Sequence, residues 1–330
     1  MTLEGHVVDV RAGMGVAAFP EHGSESATLL RRADIAMYEA KRKNLGVTVW
    51  DDRCDQHSSE RLSLMSDLRQ AVDNDELTLV YQPKVPLGSS TENYVEALVR
   101  WHHPTRGIVS PLEFIPFAEH TGYIRAITRW VLADAVKQCA AWRAEGLPMN
   151  VSINLSARDL MDPELPERFH DMLEENFCAA RWFTLEITEG AILDDPAHAI
   201  DNMKRLSALG CRLAIDDYGT GYSSLSYLRH LPVHELKIDK TFVMGMARDP
   251  SDAVIVRSTI DLAHNMGLAV VAEGVEDEGT FDQLRALGCD MVQGYWLSRP
   301  LGAAQIPAWM RNSAWVPAVV PELKALRRVV

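Results

Sequence analysis

Between residues 77 and 296 one arrangement recurs: a short run of Val, Ile and Leu that ends in a carboxylate, an amide or a lysine. The runs are LTLVYQPKV, NYVEALVRW, MNVSINLS, WFTLEITE, CRLAIDDYG, HELKIDK, LAVVAEGVE and MVQGYW. A carboxylate in a buried apolar strand is costly unless a cation neutralises it. Its return at strand after strand points to an active site at the ends of barrel strands, and carboxylates converging on one point call for divalent metal. Glu96, Leu98 and Arg100 share one strand face by the period of two, a spacing that suits a metal and a phosphate or, equally, an internal salt bridge. Asn154 is a neutral oxygen ligand or a helix cap. LEITE offers Glu186 and Glu189. Asp216 and Asp217 are adjacent, so both reach one site only where the strand ends and the chain turns, a freedom that Gly219 and Gly221 supply. Two neighbouring Asp residues suit a pair of metals about 3.5–4 Å apart. Lys237 and Asp239 share a face of the next run. A lysine among carboxylates is a salt-bridge partner or, beside a catalytic water, a group that orients the nucleophile. Glu273, Glu276 and Gln293 follow, while His102 and His103 have no further partner at zinc-ligand spacing.

These residues need a scaffold, and the composition allows one. The chain has 330 residues, 47% hydrophobic and 24% charged, and a barrel of about 250 residues would use most of it. A formal net charge of -13 excludes tracking along a nucleic-acid polymer, which needs a basic face. A small anionic substrate remains open, because bound metals and a few Arg or Lys reverse the local field. Cys54, Cys139, Cys178, Cys211 and Cys289 are odd in number and show no ligand spacing, which reads as reduced thiols in a reducing cytosol. No leader pattern and no apolar stretch of ~20 residues is present, so a soluble, cytoplasmic protein without a membrane segment is expected.

Residues 1–50 read as strands flanking one helix, HVVDVRAGMGVAAFP, SESATLLRRADIAMYEAKRK and GVTVW, with Ser24 or Ser26 as the cap. The polar DDRCDQHSSE marks a boundary. Leu62, Met65, Leu68 and Val72 then recur at helical spacing, predicting a lead-in helix that closes the bottom of the barrel. Only PLGSSTE separates the first two apolar runs, too short for a parallel crossover, so the first strand must pair antiparallel with the second. Every later connection is long enough for a helix. Eight strands favour closure, and the expected fold is α/β: a (β/α)₈ TIM-like barrel with an antiparallel first strand, plus a small N-terminal α+β remnant.

The stretch from about residue 60 to 312 closely resembles the EAL domain of cyclic di-GMP phosphodiesterases, with EALVRWHHP, FIPFAEHTG, NLSA, EITE, DDYGTGYSSL, KIDK, AEGVE and QGYWLSRP all in family order. The resemblance implies hydrolysis of one phosphodiester of cyclic di-GMP to linear pGpG, with two Mg²⁺ or Mn²⁺ ions. Ca²⁺, larger and less exacting, is expected to bind without supporting turnover. By motif, Glu96, Asn154, Glu186 and Asp216 resemble the ligands of one metal, with Asp216 bridging to a second near Asp217. Lys237 resembles the lysine that contacts the attacking water, and Glu273 the glutamate that acts as metal ligand or general base. Arg100 should grip a substrate phosphate; Gln82, Leu98 and Gln293 resemble substrate contacts, and Asp239 a supporting group. Glu189 resembles the glutamate that steadies the glycine-rich loop through a hydroxyl such as Ser223. The family's usual Phe after the paired Asp is Tyr218 here, and Trp296–Leu297 replaces its aromatic ending, changes that keep bulk.

Residues 1–55 resemble the C-terminal half of a GGDEF domain through GMGVAAFPEHG, LLRRADIAMYEAK and GVTVW, without the signature loop, so cyclase activity is not expected. The implied division is 1–55 GGDEF-like segment, 56–315 EAL barrel and 316–330 tail. A half domain leaves strands without sheet partners, which predicts disorder, docking on the barrel or exchange with another subunit. Family relatives pair near the DDYGTGYSS loop, implying a homodimer. The alternative to an enzyme is a module that binds cyclic di-GMP as a receptor without cutting it; loss of a metal ligand would favour that, and none is lost.

Overall fold

The computed structural model describes residues 2–3, 6–7, 13–42, 46–51, 64, 66–88, 92–193, 195–219 and 228–315. Gly221, Ser223, Cys54, Leu62, most of the polar boundary and the tail from 316 lie outside the described residues. The chain divides into two compact units, Met1–Gln70 and Ala71–Val330.

In the larger unit eight strands form a closed ring: β1 Leu77–Pro86, β2 Asn93–His103, β3 Met149–Leu155, β4 Phe183–Thr188, β5 Arg212–Tyr218, β6 Glu235–Ile238, β7 Ala269–Ala272 and β8 Met291–Val292. β2 and β3 through β8 pair parallel in sequence order. β1 runs antiparallel to both β2 and β8 and so closes the barrel. The six-residue connection dictates this, since no helix fits between β1 and β2. Gly107–Val109 extends β2 as a hairpin, and Leu301–Gly302 pairs with β1 on its other side.

The parallel strands are covered outside by helices, so they read as near-continuous apolar runs; in β3 every residue except Asn154 is buried. The outer helices are α1 Pro111–Thr121, α2 Ile124–Ala144, α3 Leu165–Glu175, α4 Pro196–Ala208, α5 Pro250–Asn265 and α6 Glu278–Ala286. Side chains cap several of them as their sequences suggest: Asp277 accepts from the Thr280 amide at 2.8 Å and Asp249 from that of Ser251 at 2.8 Å. Trp101, Trp142, Phe114, Phe169 and Phe183 are the largest apolar side chains sealed in this shell. Cys139, Cys178, Cys211 and Cys289 are free and buried, and burial pushes the thiols of Cys139, Cys211 and Cys289 up to about 12. Among the described residues no helix is long and apolar enough to cross a membrane.

In the smaller unit Met14–Val16 and Val47–Val49 pair parallel, connected through the helix Ser26–Arg42. Ala36 and Trp50 form a buried cluster there, with Ala17 and Ile35 against them. Arg32 lies 3.9 Å over the Trp50 ring. Thr2–Leu3 and His6–Val7 form a separate short antiparallel pair.

Candidate active site

The polar residues at the carboxyl ends of the parallel strands meet across the barrel mouth. The centre is Lys237 on β6, 1% exposed, whose ammonium lies 2.6 Å from Glu186 Oε2, 3.0 Å from Asp216 Oδ2 and 2.6 Å from Glu273 Oε1. Glu96 on β2 joins the same cluster: its Oε1 accepts from Asn154 Nδ2 at 2.7 Å and its Oε2 from Gln293 Nε2 at 2.7 Å. Gln293 also donates to Gln82 Oε1 at 3.1 Å, and Gln82 donates to the Ser298 carbonyl at 3.1 Å. The antiparallel register sets Gln82 directly opposite Glu96. Gln293 Oε1 is buried without a partner, a free acceptor in the middle of the network.

At Asp217 the strand turns in a way the sequence placed elsewhere. The pairing of β5 with β6 shifts register between Ile215 and Tyr218, and Asp217 itself takes a left-handed φ of 53°. Asp tolerates that region better than most residues. The turn is thus made at the second Asp and continued at Gly219, whose φ is 97°, so Asp216 faces Lys237 while the Asp217 amide donates to Asp216 Oδ1 at 2.9 Å. Asp239 is buried and caps the short helix Lys240–Gly245, accepting from the Thr241 amide at 2.9 Å and from the Thr241 hydroxyl. Glu189 opens the helix Glu189–Leu193 one residue beyond β4, and its expected partner Ser223 is outside the described residues. Arg100 stands half-buried on β2 with Nη1 on the Val99 carbonyl at 2.8 Å. His103 Nδ1 accepts the amides of Thr105 and Arg106, and His102 meets the Thr78 hydroxyl at 3.1 Å. Both histidines therefore hold loop and strand structure.

Three groups escaped the sequence reading. Lys84 on β1, 3% exposed, contacts the Ser152 hydroxyl and Glu186 Oε1, the latter at 3.1 Å. Glu235 on β6 is buried, with Oε1 on Arg212 Nε at 2.9 Å. The signal was the strand period: Lys84 lies two residues from Gln82, Ser152 two from Asn154 and Glu235 two from Lys237, so each shares an inward face with a residue already singled out.

Negative charge outnumbers positive here. Burial alone would raise Glu186; the Lys237 and Lys84 ammonium groups outweigh it and hold the carboxyl at about 2. Glu96 and Glu273 are raised, burial first, with neighbouring carboxylates overcoming the pull of Lys237. Burial and then Asp216 and Asp239 raise Asp217 as well. Against its own burial, Lys237 is raised well above the ordinary range by Asp216, Glu186, Glu96 and Glu273. Among the described residues no three His, Cys, Asp or Glu side chains stand as a preformed cation cage; the Lys237 ammonium lies between Glu186, Asp216 and Glu273. The donor chemistry nevertheless fits a hard divalent cation: oxygen donors, a surplus of carboxylate and the unpartnered Gln293 oxygen.

Two cavities flank the cluster. One, of about 420 Å³, is mostly apolar and lined by Leu98, Pro111, Ile115, Pro116 and Val131, with Arg100 and Asp216 at its polar side. The other, of about 450 Å³, is lined by Gln82, Lys240, Glu273, Glu276 and Tyr295. Leu98 and Asp216 line both cavities.

The EAL domain family model matches residues 65–300. The chain belongs to the EAL domain family. Among curated relatives of this EAL chain, the bifunctional diguanylate cyclase/cyclic di-GMP phosphodiesterase MucR of Pseudomonas aeruginosa is 39% identical over 305 residues, 92% of this chain and 44% of that protein. The cyclic di-GMP phosphodiesterase PdeR of Escherichia coli is 36% identical over 303 residues, 91% of this chain and 45% of that one. The chain thus spans less than half the length of these relatives. A solved structure described as PaMucR phosphodiesterase in complex with c-di-GMP matches with a TM-score of 0.70 and 41% identity, covering 74% of this chain and 99% of that one. The closed α/β barrel of this chain is the fold it shares with that EAL structure.

Proposed function

We propose that the EAL barrel hydrolyses cyclic di-GMP to linear 5′-pGpG with two divalent metal ions, lowering the level of that second messenger. The observation that carries this is the single network in which Lys237 joins Glu186, Asp216 and Glu273 while Glu96 joins Asn154 and Gln293. Glu96, Asn154, Glu186 and Asp216 would hold one Mg²⁺ or Mn²⁺ ion, and Asp216, Asp217 and Glu273 the second. When bound, the ions lower the pKa of the attacking water and neutralise the phosphate oxygens. Lys237 orients the water and offsets charge building on the phosphate. Glu273, 2.6 Å from the Lys237 ammonium that orients the water, takes the water's proton. The water oxygen bonds to phosphorus, the P–O3′ bond breaks, and the 3′ oxygen leaves as a hydroxyl after taking a proton from solvent, while the proton on Glu273 returns to solvent. Arg100 grips the phosphate, Leu98 and the apolar cavity receive one base, and Gln82 and Gln293 keep Glu96 in place. Asp239 sets the start of the following helix and keeps Asp217 turned inward, and Glu189 steadies the glycine-rich loop.

The same reading takes Ca²⁺ as a cation that binds without turnover, residues 1–55 as the closing half of a GGDEF fold, 56–315 as the catalytic barrel, and the working form as a cytoplasmic homodimer. The deciding experiment is product formation from cyclic di-GMP with Mg²⁺ or Mn²⁺, comparing the chain with Glu96→Ala. Linear pGpG from the parent alone supports the enzyme; tight binding without cleavage by the parent would replace it with a receptor.

A further inference from the structure

One layer below the rim, Glu186 is held by two ammonium groups from different walls of the barrel. Lys237 on β6 takes Oε2 at 2.6 Å, and Lys84 on β1 takes Oε1 at 3.1 Å. The Lys84 ammonium is itself tied to the Ser152 hydroxyl on β3. All four groups are buried: Lys84 is 3% exposed, Ser152 2%, Glu186 1% and Lys237 1%. Such a carboxylate cannot swing, because each oxygen has its own charged donor and each donor its own strand. The two contacts differ in kind. Lys237 also reaches Asp216 and Glu273 and so belongs to the reacting layer, whereas Lys84 approaches Glu186 from the deeper side, two residues below Gln82 on its strand face.

We propose that Lys84 is a positioning residue for the hydrolysis: anchored by Ser152, it holds Oε1 of Glu186 from below and so keeps Oε2 as the oxygen presented to the reaction centre. This rests on the reading of Glu186 as a cation ligand. The alternative is that Lys84 serves as a buried counter-charge, and the two roles predict opposite signs. Removing a positive charge near a cation site tightens the cation if charge alone matters. Removing a group that orients a ligand weakens it, by about 10- to 100-fold for outer partners of metal ligands.

The test is Mn²⁺ titration of the full chain by calorimetry, together with steady-state hydrolysis of cyclic di-GMP, for the parent, Lys84→Met, Ser152→Ala and Glu186→Gln, with circular dichroism as the folding check. For Lys84→Met the expected result is Mn²⁺ binding weakened about tenfold or more and kcat lowered by a similar factor, with KM for cyclic di-GMP within about twofold. Ser152→Ala keeps the charge and loses only the anchor; both quantities should move the same way by about threefold. Mn²⁺ binding by Lys84→Met that is unchanged or tighter overturns the proposal. Should Lys84→Met fail to fold, Ser152→Ala decides, and its parent-like kcat and Mn²⁺ affinity would overturn it. Glu186→Gln separates the two layers of inference: if it binds Mn²⁺ as the parent does, the ligand reading fails and the proposal with it. If it loses Mn²⁺ while Lys84→Met does not, only the role of Lys84 falls.

Discussion

The two units of the chain use the same device, a pair of parallel strands with a helix between them, and among the described residues only the larger unit buries charged side chains. In the small unit Met14–Val16 and Val47–Val49 pair across one helix, and Ala36 and Trp50 form a buried apolar cluster. Met14, Val16, Val47 and Val49 remain exposed. In the barrel, parallel pairs repeat from β2 to β8 and β1 joins the ends. A two-stranded sheet has no inside. A closed ring has one face turned to the helices and one turned inward, so apolar burial outside can offset charge within. Trp101, Trp142, Phe114, Phe169 and Phe183 supply that burial, and Glu96, Glu186, Lys84 and Lys237 occupy the interior. Arg32 in the small unit shows the other solution: its head lies over Trp50 and donates to the His22 carbonyl at 2.8 Å, partly exposed.

Because of this difference, the largest effects on chemistry must come from the ring of strand ends. Asp216→Ala removes the carboxylate that faces Lys237 at 3.0 Å and is proposed to touch both ions. Hydrolysis should fall about 10³-fold or more, measured as pGpG released. Activity within tenfold of the parent would move the chemistry away from this cluster. The next effect is on stability. Trp101→Ala empties a fully buried position beside Phe114 and should cost about 3–5 kcal/mol by calorimetry. Trp50→Ala, in the small unit, should leave the barrel transition within about 0.5 kcal/mol. Equal shifts from both substitutions would show that the two units share one core.

The asymmetry between the units was legible in the sequence, and so was most of the barrel. The seven residues between the first two apolar runs required the antiparallel first strand, and the polar ends of the runs located Glu96, Asn154, Glu186, Asp216, Lys237, Glu273 and Gln293, which the fold brings together. Lys84 and Glu235 were missed because they sit inside their runs, where a lone charge in YQPKV or HELKIDK reads as outward-facing. Only continuing the period of two past Gln82 and Lys237 exposes them. The turn at Asp216–Asp217 was placed on Gly219 and Gly221 because glycine is the cheapest left-handed residue, yet Asp217 makes the turn itself, since a carboxylate that must face the site cannot be replaced by a hydrogen. Asp239 was assigned to an inward face, and its capping of the next helix depended on where that helix begins, which period alone does not give.

The smallest expected effects come from one steric insult applied in both units. A methyl group on Gly294 would collide with the backbone of Val275, and one on Gly15 with the backbone of Ala33 and Met37. In the barrel the collision bears on chemistry. The Val275 amide donates to the Gln293 carbonyl at 3.0 Å, and the Gln293 side chain holds both Glu96 and Gln82. Gly294→Ala must push Gln293 off Glu96 or displace the Val275 turn, and either way kcat should drop about tenfold with a stability loss of about 1–3 kcal/mol. In the small unit the helix must lift from its strand at a similar local cost, but every residue of the strand-end cluster belongs to the other unit. Gly15→Ala should therefore leave hydrolysis unchanged in the same assay. A comparable loss of turnover from Gly15→Ala would mean that the N-terminal unit acts on the site, and that the unit with the apolar core regulates the one with the charged interior.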